Sequence, residues 1–495
     1  MLSVRARPVT LLAALALFVP AAEAASIHGT ARADRIKGTA RADHIDAMFG
    51  GNDRVSCGKG VDVVNADQTD TVASDCELVS RVISTDSLVG AAGAQHQTEV
   101  EPSAAASGST VVATFQAGRF RDGGAAAIGW STSTNAGRTW RSGVLPSITT
   151  ATSPPGDAPR ASDPSVAYDA AHRTWLIATL VLGNGYTALD ISRSPDGVKW
   201  SAPVPAAKLA TSGLAYDKEW VACDNTSSSP HYGSCYLAYT DEAQPRIALE
   251  ASHDGGATWG APVTVTSAFG ADAEGALPIV QPNGALTVAM LGNEGIFAAH
   301  STDGGSTFGQ LVGIAPVDEA SVPLLRAPPL PAAAVDASGR IYVVWADCSF
   351  RPGCDGNTIV LSTSTDGTTW TNPSRVPGTG FDSFVPAIAA DPAATGRLGI
   401  VTYVRTSSTC SSGTCAIGVS VTRSRDGGAT WTRPQRLDAF PALYSWLAAT
   451  TEGQFIGDYT AATFAGGRFV PVFAFAASPL SSTRLREPML ASSMP

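Results

Sequence analysis

The sequence predicts an all-β chain: a β-propeller of six or seven four-stranded blades, seven favoured, preceded by a small N-terminal parallel β-roll. Three observations carry this expectation. A short turn motif recurs six times at intervals of roughly 60 residues, with one shorter step. A second period, about nine residues long, runs through residues 29–72. Forty-nine glycines, 32 prolines and only 15% charged residues suit many short strands joined by turns. No stretch reads as a convincing amphipathic helix.

The N-terminus carries an address. Arg5 and Arg7 precede an apolar run over residues 9–19, and Ala22-Glu23-Ala24 is a small-x-small cleavage site. Residues 1–24 therefore read as a secretory signal peptide. The run is too short to span a bilayer, and no later stretch is long and apolar enough to do so. The expectation is a secreted, extracellular, monomeric chain with no transmembrane segment. Eight cysteines fit that compartment. They fall as near neighbours: Cys57 with Cys76, Cys223 with Cys235, Cys348 with Cys354, Cys410 with Cys415. An even count favours disulfides over metal ligation, and local pairing is the simplest connectivity, although spacing does not prove it. A formal net charge of −10 speaks against nucleic acid as a partner.

Residues 26–80 contain the nine-residue period. Asp34, Asp43, Asp53, Asp62 and Asp70 each stand two residues before Ile or Val. Gly58-x-Gly60-x-Asp62-x-Val64 follows the consensus G-G-x-G-x-D-x-U-x, and Gly50-Gly51 precedes Asp53. The segment resembles a short repeats-in-toxin module. That resemblance implies Ca²⁺ held between coils by these five aspartates and by turn carbonyls. Arg32 and Arg41 stand where the family has Gly, which leaves a metal-free scaffold stapled by Cys57–Cys76 as the other reading. Residues 81–97 read as a connector.

The six large repeats follow. Ser252-His-Asp254-Gly-Gly256-Ala-Thr258-Trp259 and Ser424-Arg-Asp426-Gly-Gly428-Ala-Thr430-Trp431 are nearly identical. The copy from Ser301 ends in Phe308, the copy from Ser133 has Asn135 for Asp, and two copies, ending at Trp200 and Trp370, are one residue shorter. The motif reads as a hairpin turn: Asp accepts turn amides, Gly takes a backbone conformation other residues avoid, and Trp packs back on the blade. Each unit orders three strands, the turn and a fourth strand; in the third unit the first three are residues 219–223, 235–239 and 246–250. Residues 455–464, 468–476 and 484–491 continue the pattern, and a strand within 78–90 is expected to close the ring. The motif S-x-D-x-G-x-T-W is the Asp box of the bacterial neuraminidase repeat, so residues 98–495 resemble the secreted sialidase-like propellers. True sialidases have six blades; there the tail would be an appendage.

The repeat also assigns faces. The boxes lie at the turn between third and fourth strands, so binding groups are expected on the opposite face, where inner strands start. That alignment gathers Glu101, Arg160, Asp163, Asp217, Lys218, Glu219, Arg326 and Asp458-Tyr459, with Arg405 at a second-strand end.

The sialidase resemblance implies an arginine trio on the substrate carboxylate, a Tyr nucleophile with a Glu partner, and an Asp acid/base. Arg160, Arg326 and Arg405 are the candidate trio, Tyr459 with Glu219 the candidate pair, and Asp163 with Asp458 the candidate carboxyl groups. Asp217, Lys218 and Glu101 are further substrate-binding candidates. The family's Arg-Ile-Pro is absent; Val100-Glu101-Pro102 stands in its place. The mouth is more acidic than basic, which repels an anionic sugar. The expected function is a glycoside hydrolase acting on extracellular glycans or glycoconjugates. A non-catalytic glycan or cell-surface binder is the alternative, and an adhesive or structural protein a third class.

Overall fold

The computed structural model describes residues 24–86, 88, 91–269, 272–411, 413–481 and 484–495. The signal peptide expected over residues 1–24 lies outside them, apart from residue 24. The fold is an all-β propeller, and helix among the described residues is confined to single 3₁₀ turns such as Pro352–Cys354 and Tyr444–Trp446.

Five sheets form the blades. Four are single meanders, of which Tyr216–Cys223, Cys235–Asp241, Arg246–Ser252 and Val263–Thr266 form one. The fifth has nine strands. It contains two meanders joined edge to edge through the pair Ala125–Ala161. The expected blades therefore do not each form a separate sheet, because this bridge fuses two units.

A seven-stranded sheet joins the two ends of the described chain. Ala461–Ala465 and Arg468–Ala474 pair antiparallel, Met489–Ser492 follows, and Leu78–Val82 lies at its other side. The same Leu78–Val82 also pairs in parallel with Val63–Ala66. Residues 26–80 and the ring thus share a strand, and Ala94–Ser107 begins inside the expected connector.

The N-terminal segment is two stacks of short parallel strands. One runs Ser26–His28, His44–Ala47, Val63–Ala66, Leu78–Val82; the other runs Arg35–Lys37, Arg54–Ser56, Thr71–Val72. Ile36, Ile45, Val55 and Val64 are buried between them with Cys57 and Cys76. Carboxylates stitch successive coils: Asp53 Oδ1 accepts from Asp34 N at 2.7 Å, Asp62 Oδ1 from Asp43 N at 2.7 Å, and Asp70 Oδ1 from Asp53 N at 2.9 Å. All four local disulfides are formed.

Each repeated turn is held as its composition demands. Asp254 Oδ1 accepts the amides of Ala257 and Thr258 and the Ser252 hydroxyl, all at 2.9 Å, and its other oxygen accepts Thr258 Oγ1 at 2.6 Å. Gly255 and Gly256 have φ of 71° and 76°, which a side chain disfavours.

Candidate functional site

Inner strands meet around the ring axis, and five of them break register near their starts. The shift falls between Val100 and Ser103, Ser162 and Ser165, Asp217 and Trp220, Glu274 and Leu277, and Phe384 and Ala387. In every case the first residue inside the shift has positive φ: Glu101 at 55°, Asp163 at 44°, Lys218 at 49°, Gly275 at 65°, Val385 at 47°. A bulge re-aims a side chain, and a non-glycine residue held there costs roughly 1–3 kcal/mol. Three of the four non-glycine positions carry ionisable groups.

Those groups converge with the last unit. Lys218 Nζ lies 2.8 Å from Asp458 Oδ2, and Arg326 Nη2 reaches the same oxygen at 2.6 Å. The Asp458 amide donates to Glu101 Oε1 at 3.3 Å. Glu101 also accepts from Gln116, whose own oxygen takes Arg119 Nη1 at 2.6 Å. Tyr459 donates its hydroxyl to Asp163 Oδ1 at 3.2 Å and packs edge-on against Trp220, with centroids 5.1 Å apart. Lys218, Trp220 and Tyr459 then line a cavity of about 150 Å³ on the ring axis, whose walls below are apolar, including Leu277 and Ile388.

Burial sets the protonation states. It pushes the Glu219 carboxyl well up, and Asp163 adds to this. Neither Glu219 oxygen makes a hydrogen bond of ordinary geometry. Burial also acts on Asp458, but Lys218 and Arg326 outweigh it and hold that carboxyl below the usual range. Glu101 is pushed up to about 8 by burial, Asp163 and Asp458. Asp217 rises to about 7, again through burial, with Lys218 opposing. The Tyr459 phenol is held well up by burial and by Asp163. The mouth therefore favours the charged form of Asp458, while burial pushes Glu101, Asp217 and Glu219 the other way.

Two sequence expectations are corrected here. The arginine trio does not assemble. Arg160 pairs with exposed Asp122 at 2.7 Å, Arg405 pairs with Asp382 at 3.2 Å, and Arg326 is engaged by Asp458. Each has found a carboxylate, in a nearby turn, on the paired strand or across the ring, so none is left for a common ligand. The partner of Tyr459 is Asp163 rather than Glu219, because the bulge at Asp163 brings that carboxylate to the phenol. Sequence reasoning missed Arg119. The strand Thr110–Phe120 carries Arg119 to the mouth.

The roll aspartates differ among themselves. Asp34 and Asp43 are engaged by Thr30 and Thr39, and Asp70 accepts amides on both oxygens. Asp53 Oδ2 and Asp62 Oδ2 are buried without a partner. A Cβ on Gly50 would lie 2.7 Å from Thr30 O and 3.1 Å from Asp53 Oδ2, so glycine leaves an oxygen-lined cradle there. Asp53 and Asp62 thus each keep one buried oxygen free for a small hard cation. Among the described residues no group of three or more metal-binding side chains gathers.

No protein-family model matches the chain, and no curated protein matches it. Solved structures do. The NanB sialidase of Streptococcus pneumoniae is 14% identical with a TM-score of 0.45, over 83% of this chain and 70% of that one. An alpha-L-arabinanase of Penicillium chrysogenum is 14% identical with a TM-score of 0.41, over 84% and 98%. A protein of unknown function from Dyadobacter fermentans is 13% identical with a TM-score of 0.42, over 67% and 94%.

Proposed function

We propose that this chain is a secreted glycoside hydrolase acting on extracellular glycans, with its site at the acidic mouth of the ring. One observation carries the reading: Glu219 and Asp458 both act on the Tyr459 phenol, and their carboxyl pKa values are driven in opposite directions. Paired carboxyl groups with separated pKa values are what an acid and a charged stabiliser or nucleophile require. Glu219 is the proton donor, Asp458 the ionised carboxylate, and Tyr459 with Asp163 orients the sugar. Lys218 and Arg326 keep Asp458 charged. With Arg160 and Arg405 engaged elsewhere, a neutral or basic sugar suits the mouth better than a sialoside. Secretion is supported by four disulfides and by the absence, among the described residues, of a helix long and apolar enough to cross a membrane.

The ring is read as seven blades, counting the nine-stranded sheet as two and the seven-stranded sheet as the closing blade. The N-terminal stacks are read as a β-roll of the calcium-binding kind, with Asp53 and Asp62 as carboxylate ligands.

A non-catalytic glycan-binding propeller is the second reading, favoured by burial: Asp458 is 2% exposed and Glu219 fully buried. A panel of neutral, amino and sialyl glycosides separates the two. Turnover of a neutral or amino glycoside supports hydrolysis, and saturable binding without turnover supports the platform.

A further inference from the structure

The sixth repeated turn carries arginines that the mouth does not use. It follows the strand Ala416–Ser424, in which Ile417 pairs with Arg405 and Ser424 with Leu398. Arg405 in turn pairs with Asp382 at the mouth end. Leu398 and Ser424 therefore stand at the other end of a blade whose inner strand has nine residues, on the order of 30 Å. There Arg397, Arg423 and Arg425 line a cavity of about 270 Å³ together with Thr430, Trp431 and Phe464.

The cluster is short of negative charge. Burial, Arg425 and Arg397 together hold the Arg423 guanidinium below its ordinary range. Arg468 is lowered by burial and by Arg138, and is anchored on Ser493 close by. Two carboxylates are near. Asp391 pairs with Arg397 at 2.8 Å, and Asp426 is engaged within its own turn by Ser424 and Thr430. Neither forms an ion pair with Arg423 or Arg425, and Arg425 has no carboxylate partner among the described residues. Arg423 donates instead to the backbone oxygen of Pro495, which lines the same cavity, so the pocket already takes an oxygen acceptor. One wall is aromatic: Trp431 is half-buried, and Arg397 lies over the Phe464 ring at 5.3 Å. All this sits on a chain of net charge −10.

We propose that this pocket is a second binding site, for an acidic polysaccharide. An oxyanion on the sugar, a uronate carboxylate or a sulfate ester, bridges Arg423 and Arg425, and the sugar ring lies against Trp431. Guanidinium forks match planar or tetrahedral oxyanions, and an indole face matches the apolar face of a sugar ring. A small inorganic anion uses only the first of these contacts. Because the pocket and the mouth lie at opposite ends of the blades, a bound polymer leaves the mouth open, and the pocket serves as an anchor.

The test uses the full chain with polygalacturonate, dextran sulfate and neutral dextran at low ionic strength. The wild type is expected to bind the first two and not the third. Arg423→Gln with Arg425→Gln should weaken binding by about tenfold or more, with Tm and mouth-side ligand turnover unchanged. Arg425→Gln alone, at an exposed position, should weaken it in the same direction. Lys199→Gln with Lys208→Gln removes the same charge elsewhere and should leave binding intact. Equal weakening by both double variants, no binding of either polyanion by the wild type, or inorganic sulfate binding as tightly as the polymers would overturn the proposal.

Discussion

Lys218 and Asp458, 240 residues apart in sequence, form an ion pair at 2.8 Å with side-chain exposures of 6% and 0%. The pair ties the third unit to the last across the ring axis, and Arg326 closes it into a triad. Removing one partner strands the others, since a buried charge without a counter-ion is costly. Asp458→Asn is therefore expected to lower stability by about 3–5 kcal/mol. A denaturant midpoint equal to that of the wild type would count against the pairing.

The triad also fixes a pH response. Asp458 has its carboxyl lowered in the folded state, so its contribution is present above the unfolded value near 3.8 and is lost as pH falls through the folded one. Lys218 is raised despite burial, chiefly by Asp458, so its contribution is present below 10.5 and is lost only as pH rises through its folded value. Stability in Asp458→Asn should show less loss on acidification than the wild type. Parallel acid-unfolding curves would contradict this.

The aspartates of the repeated turns are structural. Asp254 is held at about 2; burial opposes the shift, and hydrogen bonds from Thr258, Ser252 and Ala257 outweigh it. The turn is solvent-exposed, so water replaces part of what Asp254→Ala removes, and the expected loss is about 1 kcal/mol. Glycan binding and turnover should not change. Lost function at an unchanged Tm would sink this assignment.

The roll offers a metal test. Asp53→Asn with Asp62→Asn should abolish a Ca²⁺-dependent rise in Tm of the full chain at millimolar Ca²⁺. Asp34→Asn should not, because Thr30 already engages that carboxylate. The same rise in the Asp53/Asp62 variant would remove these two residues from the proposal.

Much of this was legible in the sequence because it repeats. The box at Ser252–Trp259 announces its own turn, and the inner-strand starts align by counting from it. Asp217, Lys218 and Asp458 reach one mouth by that register. Partner choice was not legible. Tyr459 meets Asp163 because a bulge turns Asp163 inward, and a local φ of 44° leaves no pattern beyond the following Pro164. Arg160 looked free in the sequence because Asp122, its partner, sits in a loop outside the repeat. The fused sheet was also hidden, since the single pair Ala125–Ala161 carries no composition signal.

The central claim is that the mouth hydrolyses glycans with Glu219 as the proton donor. Glu219→Gln tests it most directly. The carboxyl is buried, burial disfavours its charged form, and neither oxygen makes a hydrogen bond of ordinary geometry, so the amide should preserve the fold where Asp458→Asn would not. With the best glycoside from the panel, kcat/KM of Glu219→Gln should fall by about 10²–10⁴ at an unchanged Tm. Wild-type turnover in that variant, or no turnover of any glycoside by the wild type, would contradict the account.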